Sequence, residues 1–213
     1  GTHGDFVSIA FYPNSVEECY KCTIESFNAA EEAKCPVYLL TDGLLSHLFE
    51  SVDLDAVKIS LKQRALKPLG HESRHFTGLL SKEGIPKTKD SLYYKQWYKS
   101  YKEELCNVAD NYSFYEYIEN KNSDTLVISY GILSRVIFEF KEEFALFRPI
   151  RLFPLLKEIK EIARNYKKII VVEMNDSQYA LLLEAFLKRE IKKVPVLGGM
   201  VAIEEIRKGL LNE

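Results

Sequence analysis

The sequence predicts an α/β protein whose central sheet is mostly parallel and is covered by helices on both faces. Residues 123–131 and 167–175 each contain a run of apolar residues that is followed by glycine or polar residues. Such runs are typical of strands buried on both faces of a parallel sheet, because a strand with one solvent-exposed face alternates instead. Helical apolar spacing surrounds these runs, in residues 134–144, 155–165 and 177–188.

The composition bounds the class of protein. A chain of 213 residues with 46% hydrophobic residues can bury a sizeable core. Its 29 basic and 31 acidic residues leave no positive excess to neutralise phosphates, so we expect no nucleic-acid partner. No apolar run approaches the roughly 20 residues of a membrane span, and no signal peptide is visible, which predicts a cytoplasmic protein without a membrane partner.

The N-terminal part predicts a β-α-β unit. Residues 6–11 alternate as a strand does, and residues 36–41 form a second apolar strand that ends at the Asp42-Gly43 turn. Between them Ser15 and Glu18 form a capping box that opens a helix to about Lys34. The predicted core face of this helix consists of Val16, Cys19 or Tyr20, Thr23, Phe27 and Ala30.

Two strands and one helix cannot bury both faces of a parallel sheet, so most of this domain is expected to lie elsewhere. The exposed strand edges of residues 6–42 predict that the chain needs a partner. Residues 51–122 differ in composition from this unit, because they are charged and rich in lysine and tyrosine. Within them, residues 90–108 predict a long amphipathic helix, and the rest predicts a linker that wraps around the protein.

These patterns divide the chain into three parts. The first part contains the β-α-β unit of residues 6–42, residues 56–122 are the linker with its helix, and residues 123–213 are a small α/β domain. Residues 147–150 are expected to be a short crossing from strand to loop. Arg148, which the rigid Pro149 follows, can bind either a carboxylate or the neighbouring domain, and we favour the second role.

Polar residues follow the buried strand of residues 167–175, where α/β folds place functional groups. Glu173 and Asn175 close this strand and are candidates for ligand contact. A structural role is the alternative, because an asparagine at a strand end commonly caps the next helix, with Asp176 or Ser177 as competing caps.

The cysteines permit one metal hypothesis. Cys19 and Cys22, together with His71 and His75, have the residue types of a zinc site. The two cysteines fall inside a predicted helix, however, where packing explains their spacing, so we expect no metal site and reduced thiols, also at Cys35 and Cys106. Zinc binding stays as an alternative.

Phosphate-binding motifs are absent from the sequence. Neither GxGxxG nor GxxxxGK[ST] occurs, and Gly198-Gly199 is an isolated pair near the end of the last predicted strand. No Ser/His/Asp set follows from the spacing of the four histidines. The sequence therefore assigns no catalytic residue.

Several segments in order resemble the α subunit of 2-oxoacid:ferredoxin oxidoreductases, and the segment Thr77-Gly78-Leu79 favours the 2-oxoglutarate branch. The similarity covers essentially the whole chain. The segments that carry it are residues 1–5, 15–28, 35–42, 77–86, 129–135, 146–150 and 169–178, the last of which includes Gln178.

The resemblance implies a fold and an activity. Residues 1–55 would be the end of a thiamine-diphosphate pyrimidine-binding domain, and residues 123–213 a transketolase C-terminal-like domain. A β subunit would carry the diphosphate, Mg²⁺ and an iron–sulfur cluster, and further small subunits are possible members of the complex. The whole enzyme would oxidatively decarboxylate a 2-oxo acid to an acyl-coenzyme A and pass the electrons to ferredoxin.

The first half of the family's pyrimidine domain has no counterpart in this sequence, so no catalytic residue is transferred and this chain alone is expected to be inactive, with no cofactor bound. The resemblance places Gly1, His3, Gly4 and Asp5 at the border of the cofactor site; an ordinary turn is the alternative. Arg148, Glu173, Asn175, Gln178, Gly198 and Gly199 are candidates for strand-end or domain contacts. A non-catalytic module that only organises subunits is the second function hypothesis.

Overall fold

The computed structural model of the chain describes residues 5, 7–63, 80–83, 85–87, 89–199 and 201–211. Strands in these residues form a three-stranded sheet, a five-stranded sheet and a two-stranded hairpin. The first elements are β1 (Ile9–Phe11), α1 (Val16–Ala33), β2 (Val37–Leu39) and α2 (Gly43–Ser46). They are followed by a 3-10 turn (Leu54–Ala56), the hairpin strands β3 (Ser81–Lys82) and β4 (Ile85–Pro86), and α3 (Ser91–Asp110).

The second half of the chain builds the five-stranded sheet, called the main sheet below. Its first elements are β5 (Tyr115–Ile118), β6 (Thr125–Ser129), α4 (Leu133–Ile137) with a 3-10 turn (Phe138–Phe140), and β7 (Ala145–Pro149). The last elements are β8 (Arg151–Phe153), which joins the other sheet, then α5 (Glu158–Ala163), β9 (Lys168–Glu173), α6 (Gln178–Leu187), β10 (Lys192–Pro195) and α7 (Ile203–Leu211).

The main sheet has the strand order β10-β9-β6-β7-β5 and is parallel except for β5, which runs antiparallel to β7. Helices α5 and α6 share one apolar cluster with one face of the sheet, and α4 and α7 share a second cluster with the other face. The central strands β6 and β9 are buried along nearly their whole length. The predicted fold class, with a mostly parallel sheet covered on both faces, is therefore confirmed.

One crossing and one helix differ from the prediction. Residues 145–149 form a complete strand between β6 and β5, not a strand-to-loop crossing, and every residue of it is buried. Arg148 interrupts the apolar run of this strand, so the apolar pattern did not predict its full length. The helix predicted over residues 134–144 ends at Ile137 and continues only as a 3-10 turn to Phe140. The strands β3, β4, β5 and β8 were not predicted, whereas β10 is the last predicted strand, before Gly198-Gly199.

The small N-terminal sheet gains a strand from the second half of the chain. Strand β1 pairs in parallel with β2 and antiparallel with β8. Only Ile150 separates β8 from β7 of the main sheet, so one extended stretch crosses directly from one sheet to the other. This crossing holds the β1-α1-β2 unit against the main sheet.

Helix α1 begins where the sequence predicts. The hydroxyl of Ser15 accepts a hydrogen bond from the Glu18 amide at 3.2 Å, and the carboxylate of Glu18 accepts one from the Asn14 amide at 2.9 Å. The reciprocal bond thus goes to the residue before the cap instead of to the cap itself. Helix α3 begins similarly at Asp90, whose side chain accepts from the Tyr93 amide at 2.9 Å.

The predicted buried face of α1 was wrong. Phe27 is 64% exposed and Tyr20 is 40% exposed, whereas the buried residues of the helix are Cys22, Asn28, Ala29 and Ala33. Of these, Cys22, Ala29 and Ala33 share a cluster with Leu105 and Ala109 of α3. Small side chains allow two helices to approach closely, so here the small residues face the neighbour and the large ones do not.

We expect Ser15→Ala to lower the free energy of unfolding by about 1 kcal/mol, because the first turn of α1 loses its side-chain acceptor. Urea unfolding of the variant measures this loss. Ser26→Ala is the matched control: its hydroxyl bonds the Cys22 carbonyl inside the helix, where alanine is at least as favourable. Equal losses in the two variants would contradict the capping role.

No helix in the described part of the chain is both long and apolar enough to span a membrane.

Candidate functional site at the joint between the two sheets

The carboxyl ends of β6 and β9 lie side by side at the centre of the main sheet. The connection after β6 leads to α4 on one face, and the connection after β9 leads to α6 on the other face. Connections that diverge in this way open a crevice, which is the usual ligand position in α/β folds. Here the crevice is closed by protein residues, called the joint below: Tyr12, Asp42, Tyr130, Gly131, Glu173 and Asn175.

Glu173 is the buried anchor of the joint. It is only 1% exposed, and its carboxylate accepts hydrogen bonds from the amides of Tyr179 and Ala180, each at 3.0 Å. These amides belong to the first turn of α6, where free N–H groups favour a negative charge. The Tyr130 hydroxyl donates the third hydrogen bond at 2.8 Å. Burial and the nearby Glu173 raise the pKa of Tyr130, so this hydroxyl keeps its proton.

Asn175 is the side-chain cap of α6. Its Oδ1 accepts from the Gln178 amide at 2.9 Å, and its Nδ2 donates to the Tyr130 hydroxyl at 2.8 Å. The competing cap Ser177 makes no capping bond with its side chain and adopts a left-handed φ of 60°. The Gln178 side chain is exposed, so this residue contributes its backbone amide to the site.

Two residues of the β1-α1-β2 unit complete the joint. The ring of Tyr12 packs edge-on against Tyr130, with their centroids 5.2 Å apart. Asp42 accepts from the Leu45 amide at 2.7 Å and, across the joint, from the Ile132 amide at 3.0 Å. One carboxylate therefore caps α2 and binds the loop after β6 at the same time.

Gly131 makes the close contact possible. Its φ is +62°, and a Cβ at this position would lie 2.5 Å from Tyr12 Cε1 and 3.0 Å from Asp42 Oδ2. Glycine is the residue that meets both requirements, because it has no Cβ and adopts a positive φ readily.

Arg148 forms a second connection, called the clamp below, with Glu18 and Glu116. Its Nη1 and Nη2 donate to the two carboxylate oxygens of Glu18 at 2.8 and 2.6 Å, and its Nε donates to Glu116 at 2.8 Å. The Arg148 side chain is 7% exposed and that of Glu18 is 19% exposed. A bidentate pair of this geometry is strong and directional, and it links α1 to the main sheet.

The clamp makes stability depend on pH. Burial by itself raises the pKa of Glu18, but hydrogen bonds from Arg148 and from the Asn14 amide lower the pKa overall below its ordinary value. Such a carboxylate adds stability above its unfolded pKa, and this contribution is lost as the pH falls through the folded pKa. We expect the free energy of unfolding to fall between about pH 5 and about pH 3, and to fall less in Glu18→Gln.

Urea unfolding at several pH values measures this difference. Glu17→Gln is the control, because Glu17 occupies the same turn and, in the described part of the chain, pairs with the exposed Lys21. Its pH profile should match that of the unchanged protein. A Glu18→Gln profile parallel to the other two would show that Glu18 carries no acid-sensitive stability.

The other predicted site residues lie apart from the joint or outside the described residues. Gly198 and Gly199 are exposed in the turn after β10, with φ of +79° and +74°, and an added Cβ would meet nothing within 4 Å. Asp5 is exposed and accepts from the Tyr94 hydroxyl at 3.1 Å. Outside the described residues lie Gly1, His3, Gly4, His71 and His75.

No metal centre is formed by the residues that the structure describes: no three His, Cys, Asp or Glu side chains among them are grouped as metal ligands. All four cysteines are free. Burial raises the pKa of the Cys22 thiol to about 12, so this residue is not a ready thiolate ligand. The described residues thus fit neither a zinc site nor the Mg²⁺ of a bound diphosphate, and no reaction step is assigned to them.

Sequence reasoning found Arg148, Glu173 and Asn175 but missed the other residues of the joint and the clamp. The missed residues are Tyr12, Glu18 as an ion-pair partner, Asp42, Glu116, Tyr130 and Gly131. A signal was present for some of them, because Asp42 follows β2 and Tyr130-Gly131 follows β6, each at the carboxyl end of a parallel strand.

Comparison with known proteins gives consistent matches. The 2-oxoglutarate synthase subunit KorA of Methanothermobacter marburgensis is 29% identical, over 94% of this chain and 62% of the relative. The KorA subunit of Methanocaldococcus jannaschii is 28% identical, over 100% of this chain and 65% of the relative. The ketoisovalerate oxidoreductase subunit VorB of M. marburgensis is 27% identical, over 93% of this chain and 58% of the relative.

A solved structure shares the fold. It is the 2-oxoglutarate:ferredoxin oxidoreductase from Magnetococcus marinus with 2-oxoglutarate, coenzyme A and succinyl-CoA bound. The TM-score is 0.75 at 22% identity, and the match covers 100% of this chain and 43% of that chain. This chain therefore spans less than half of that structure and less than two thirds of each curated relative named above.

The family model described as pyruvate flavodoxin/ferredoxin oxidoreductase, thiamine diphosphate-binding, matches residues 3–119. This match covers more than half of the chain and confirms the resemblance found in the sequence. The chain belongs to the thiamine-diphosphate-binding family of pyruvate flavodoxin/ferredoxin oxidoreductases.

Proposed function

We propose that the chain is part of the α subunit of a 2-oxoacid:ferredoxin oxidoreductase that converts 2-oxoglutarate to an acyl-coenzyme A with loss of carbon dioxide. The observation that carries this proposal is the family match over residues 3–119. Relatives whose names specify 2-oxoglutarate support the choice of substrate, and they match 94% and 100% of the chain. The VorB match, at a similar identity, makes a branched 2-oxo acid the competing substrate.

The proposal includes cofactors and partners. Thiamine diphosphate, when bound, supplies the carbanion chemistry that a 2-oxo acid needs to lose carbon dioxide. A β subunit holds the diphosphate with Mg²⁺ and carries the iron–sulfur cluster, and ferredoxin and coenzyme A accept the electrons and the acyl group. Further small subunits, and the domain boundaries at residues 55 and 122, belong to the same proposal. A cytoplasmic location does too, and the four free cysteines favour it.

In this proposal the residues of this chain hold the cofactor-binding unit in position and take no part in the reaction itself. The family match spans the β1-α1-β2 unit and ends at residue 119, within the stretch just after β5. The joint and the clamp fix that unit against the main sheet through Asp42, Tyr12 and the Glu18–Arg148 pair. Because small displacements of a cofactor-binding element reduce rates strongly, these contacts support catalysis indirectly. The border position of Asp5, with Gly1, His3 and Gly4, is proposed on the resemblance.

A pull-down from the native source tests the assembly. The full-length protein that contains this chain is tagged and isolated, and the co-purifying proteins, thiamine diphosphate and iron are measured. We expect a second subunit with iron–sulfur clusters and about one thiamine diphosphate per α subunit. This chain expressed alone should show no 2-oxoacid-dependent reduction of a viologen dye. Isolation of the tagged protein without a second subunit or thiamine would favour the non-catalytic module.

A further inference from the structure

A cavity of about 310 Å³ lies on the face of the main sheet that α4 covers. Its floor includes Glu116 and Arg148, which are paired residues of β5 and β7, and Ser129, which ends the neighbouring β6. Side chains alternate along a strand, so Ile118 and Leu146, two residues away, share this face and add an apolar wall. The cavity thus lies at the carboxyl ends of two parallel strands, beside the clamp.

Ser129 leaves a hydrogen-bonding position open in this cavity. The residue is 2% exposed, and its Oγ has no partner in the described part of the chain. The other serine of the cavity, Ser134, donates to the Gly131 carbonyl at 2.7 Å and accepts from Asn14 Nδ2 at 3.1 Å. Buried hydroxyl groups in folded proteins are almost always paired, so an unpaired one that borders a cavity is available to a molecule bound there.

The charges around the cavity favour a cation. Arg148 and Arg135 line it, and both guanidinium groups are already paired with carboxylates. Glu139 also lines the cavity, is exposed, and has no ion-pair partner among the described residues. Among the described residues, the lining itself carries two carboxylates, those of Glu116 and Glu139, and the Lys141 ammonium lies against the ring of Phe138 at its edge. In this lining an anion meets guanidinium groups that are already paired, whereas the unpaired carboxylate of Glu139 attracts an ammonium group.

We propose that the cavity binds a small organic ammonium compound that also carries a hydroxyl group. The ammonium group lies at the carboxylates of Glu116 and Glu139, the carbon chain lies against Ile118 and Leu146, and the hydroxyl group bonds Ser129 Oγ. The volume suits such a molecule, because ligand cavities begin at roughly 300 Å³. The cavity shares no residue with the joint, although Glu116 and Arg148 of the clamp line it.

Binding of matched probes to the full-length protein in its native complex tests the proposal. Isothermal titration is done with 4-aminobutan-1-ol, with the neutral butane-1,4-diol and with the anion 4-hydroxybutyrate. We expect the amino alcohol to bind about tenfold more tightly than the diol, because it alone gains a charge-assisted hydrogen bond. The anion should bind least. Equal binding of the amino alcohol and the diol, or no binding of any probe, would overturn the proposal.

Variants then locate the site. Glu139→Gln and Ser129→Ala should each weaken binding of the amino alcohol by about tenfold, because the first removes the negative charge and the second removes the hydroxyl group. Glu142→Gln is the matched control: Glu142 is exposed in the same region but does not line the cavity, so the affinity should not change. The unfolding midpoint of every variant is measured to show that it is folded. Unchanged affinity in both Glu139→Gln and Ser129→Ala would place the probe elsewhere and contradict the site.

Discussion

Replacing Arg148 with leucine should lower the free energy of unfolding by about 3 kcal/mol, because removal of one partner from a buried ion pair leaves the other charge without compensation. Arg148 makes three hydrogen bonds to two carboxylates, and Glu18 remains largely buried after the change. The loss should fall on the contact between the β1-α1-β2 unit and the main sheet. Urea unfolding, followed by circular dichroism, measures the total effect.

Arg135→Leu is the matched control for this prediction. Arg135 also pairs with a glutamate across the two units, Glu50 at 2.7 Å, but its side chain is 45% exposed. Exposed pairs contribute at most about 1 kcal/mol, so the control should lose little. The double variant Glu18→Leu with Arg148→Leu should recover part of the loss, because it removes both charges. Similar losses for Arg148→Leu and Arg135→Leu would contradict the role of the clamp.

The second large effect is expected at Gly131. Gly131→Ala should lower the free energy of unfolding by about 3 kcal/mol, as a left-handed φ costs a residue with a Cβ about 1–2 kcal/mol and overpacking adds a similar amount. The new Cβ would lie 2.5 Å from Tyr12 Cε1, so the Tyr12 ring must leave its position against Tyr130. Thermal or urea unfolding measures the loss.

The variant Gly198→Ala separates the cost of a left-handed φ from the cost of overpacking. Gly198 has a φ of +79°, but an added Cβ would meet no atom within 4 Å. This variant should show only the backbone cost of about 1 kcal/mol. If Gly131→Ala were no more destabilising than Gly198→Ala, the close approach of Tyr12 and Asp42 would not be a constraint on the fold.

The central strands of the main sheet and the starts of two helices could be predicted, because each is marked by residues close to it in the sequence. The apolar runs of β6 and β9 indicate strands buried on both faces, and Ser15 and Asp90 mark the starts of α1 and α3. Strand β8 carries no such signal. It has three residues, begins with the buried Arg151, and exists because β1 is available to pair with it.

The buried face of α1 also depends on a neighbour. The helix has large apolar residues on one side and Ala29 and Ala33 on another, and local periodicity favours the large ones. The close approach of α3 selects the small ones instead, and Phe27 stays exposed. A pattern that permits two faces is resolved only by what packs against the helix.

The candidate site could be predicted in part, because some of its residues are marked by their neighbours in the sequence. Glu173 and Asn175 lie where a strand ends, and Arg148 precedes a proline, so each was visible in the sequence. Tyr12 and Asp42 of the joint lie more than a hundred residues from Glu173 in the chain, and the pairing of β8 with β1 brings their unit to the main sheet. The clamp likewise joins Glu18 of α1 to Arg148 of β7, which are 130 residues apart in the chain.

The most direct test of the proposed function is the rate of viologen reduction by the native complex isolated through its α subunit. The complex is supplied with coenzyme A and, in separate reactions, with 2-oxoglutarate, pyruvate or 2-oxoisovalerate. We predict rapid reduction with 2-oxoglutarate that requires coenzyme A, and slower reduction with the other two acids. Preference for 2-oxoisovalerate would contradict the substrate, and absence of reduction with every 2-oxo acid would contradict the oxidoreductase assignment itself.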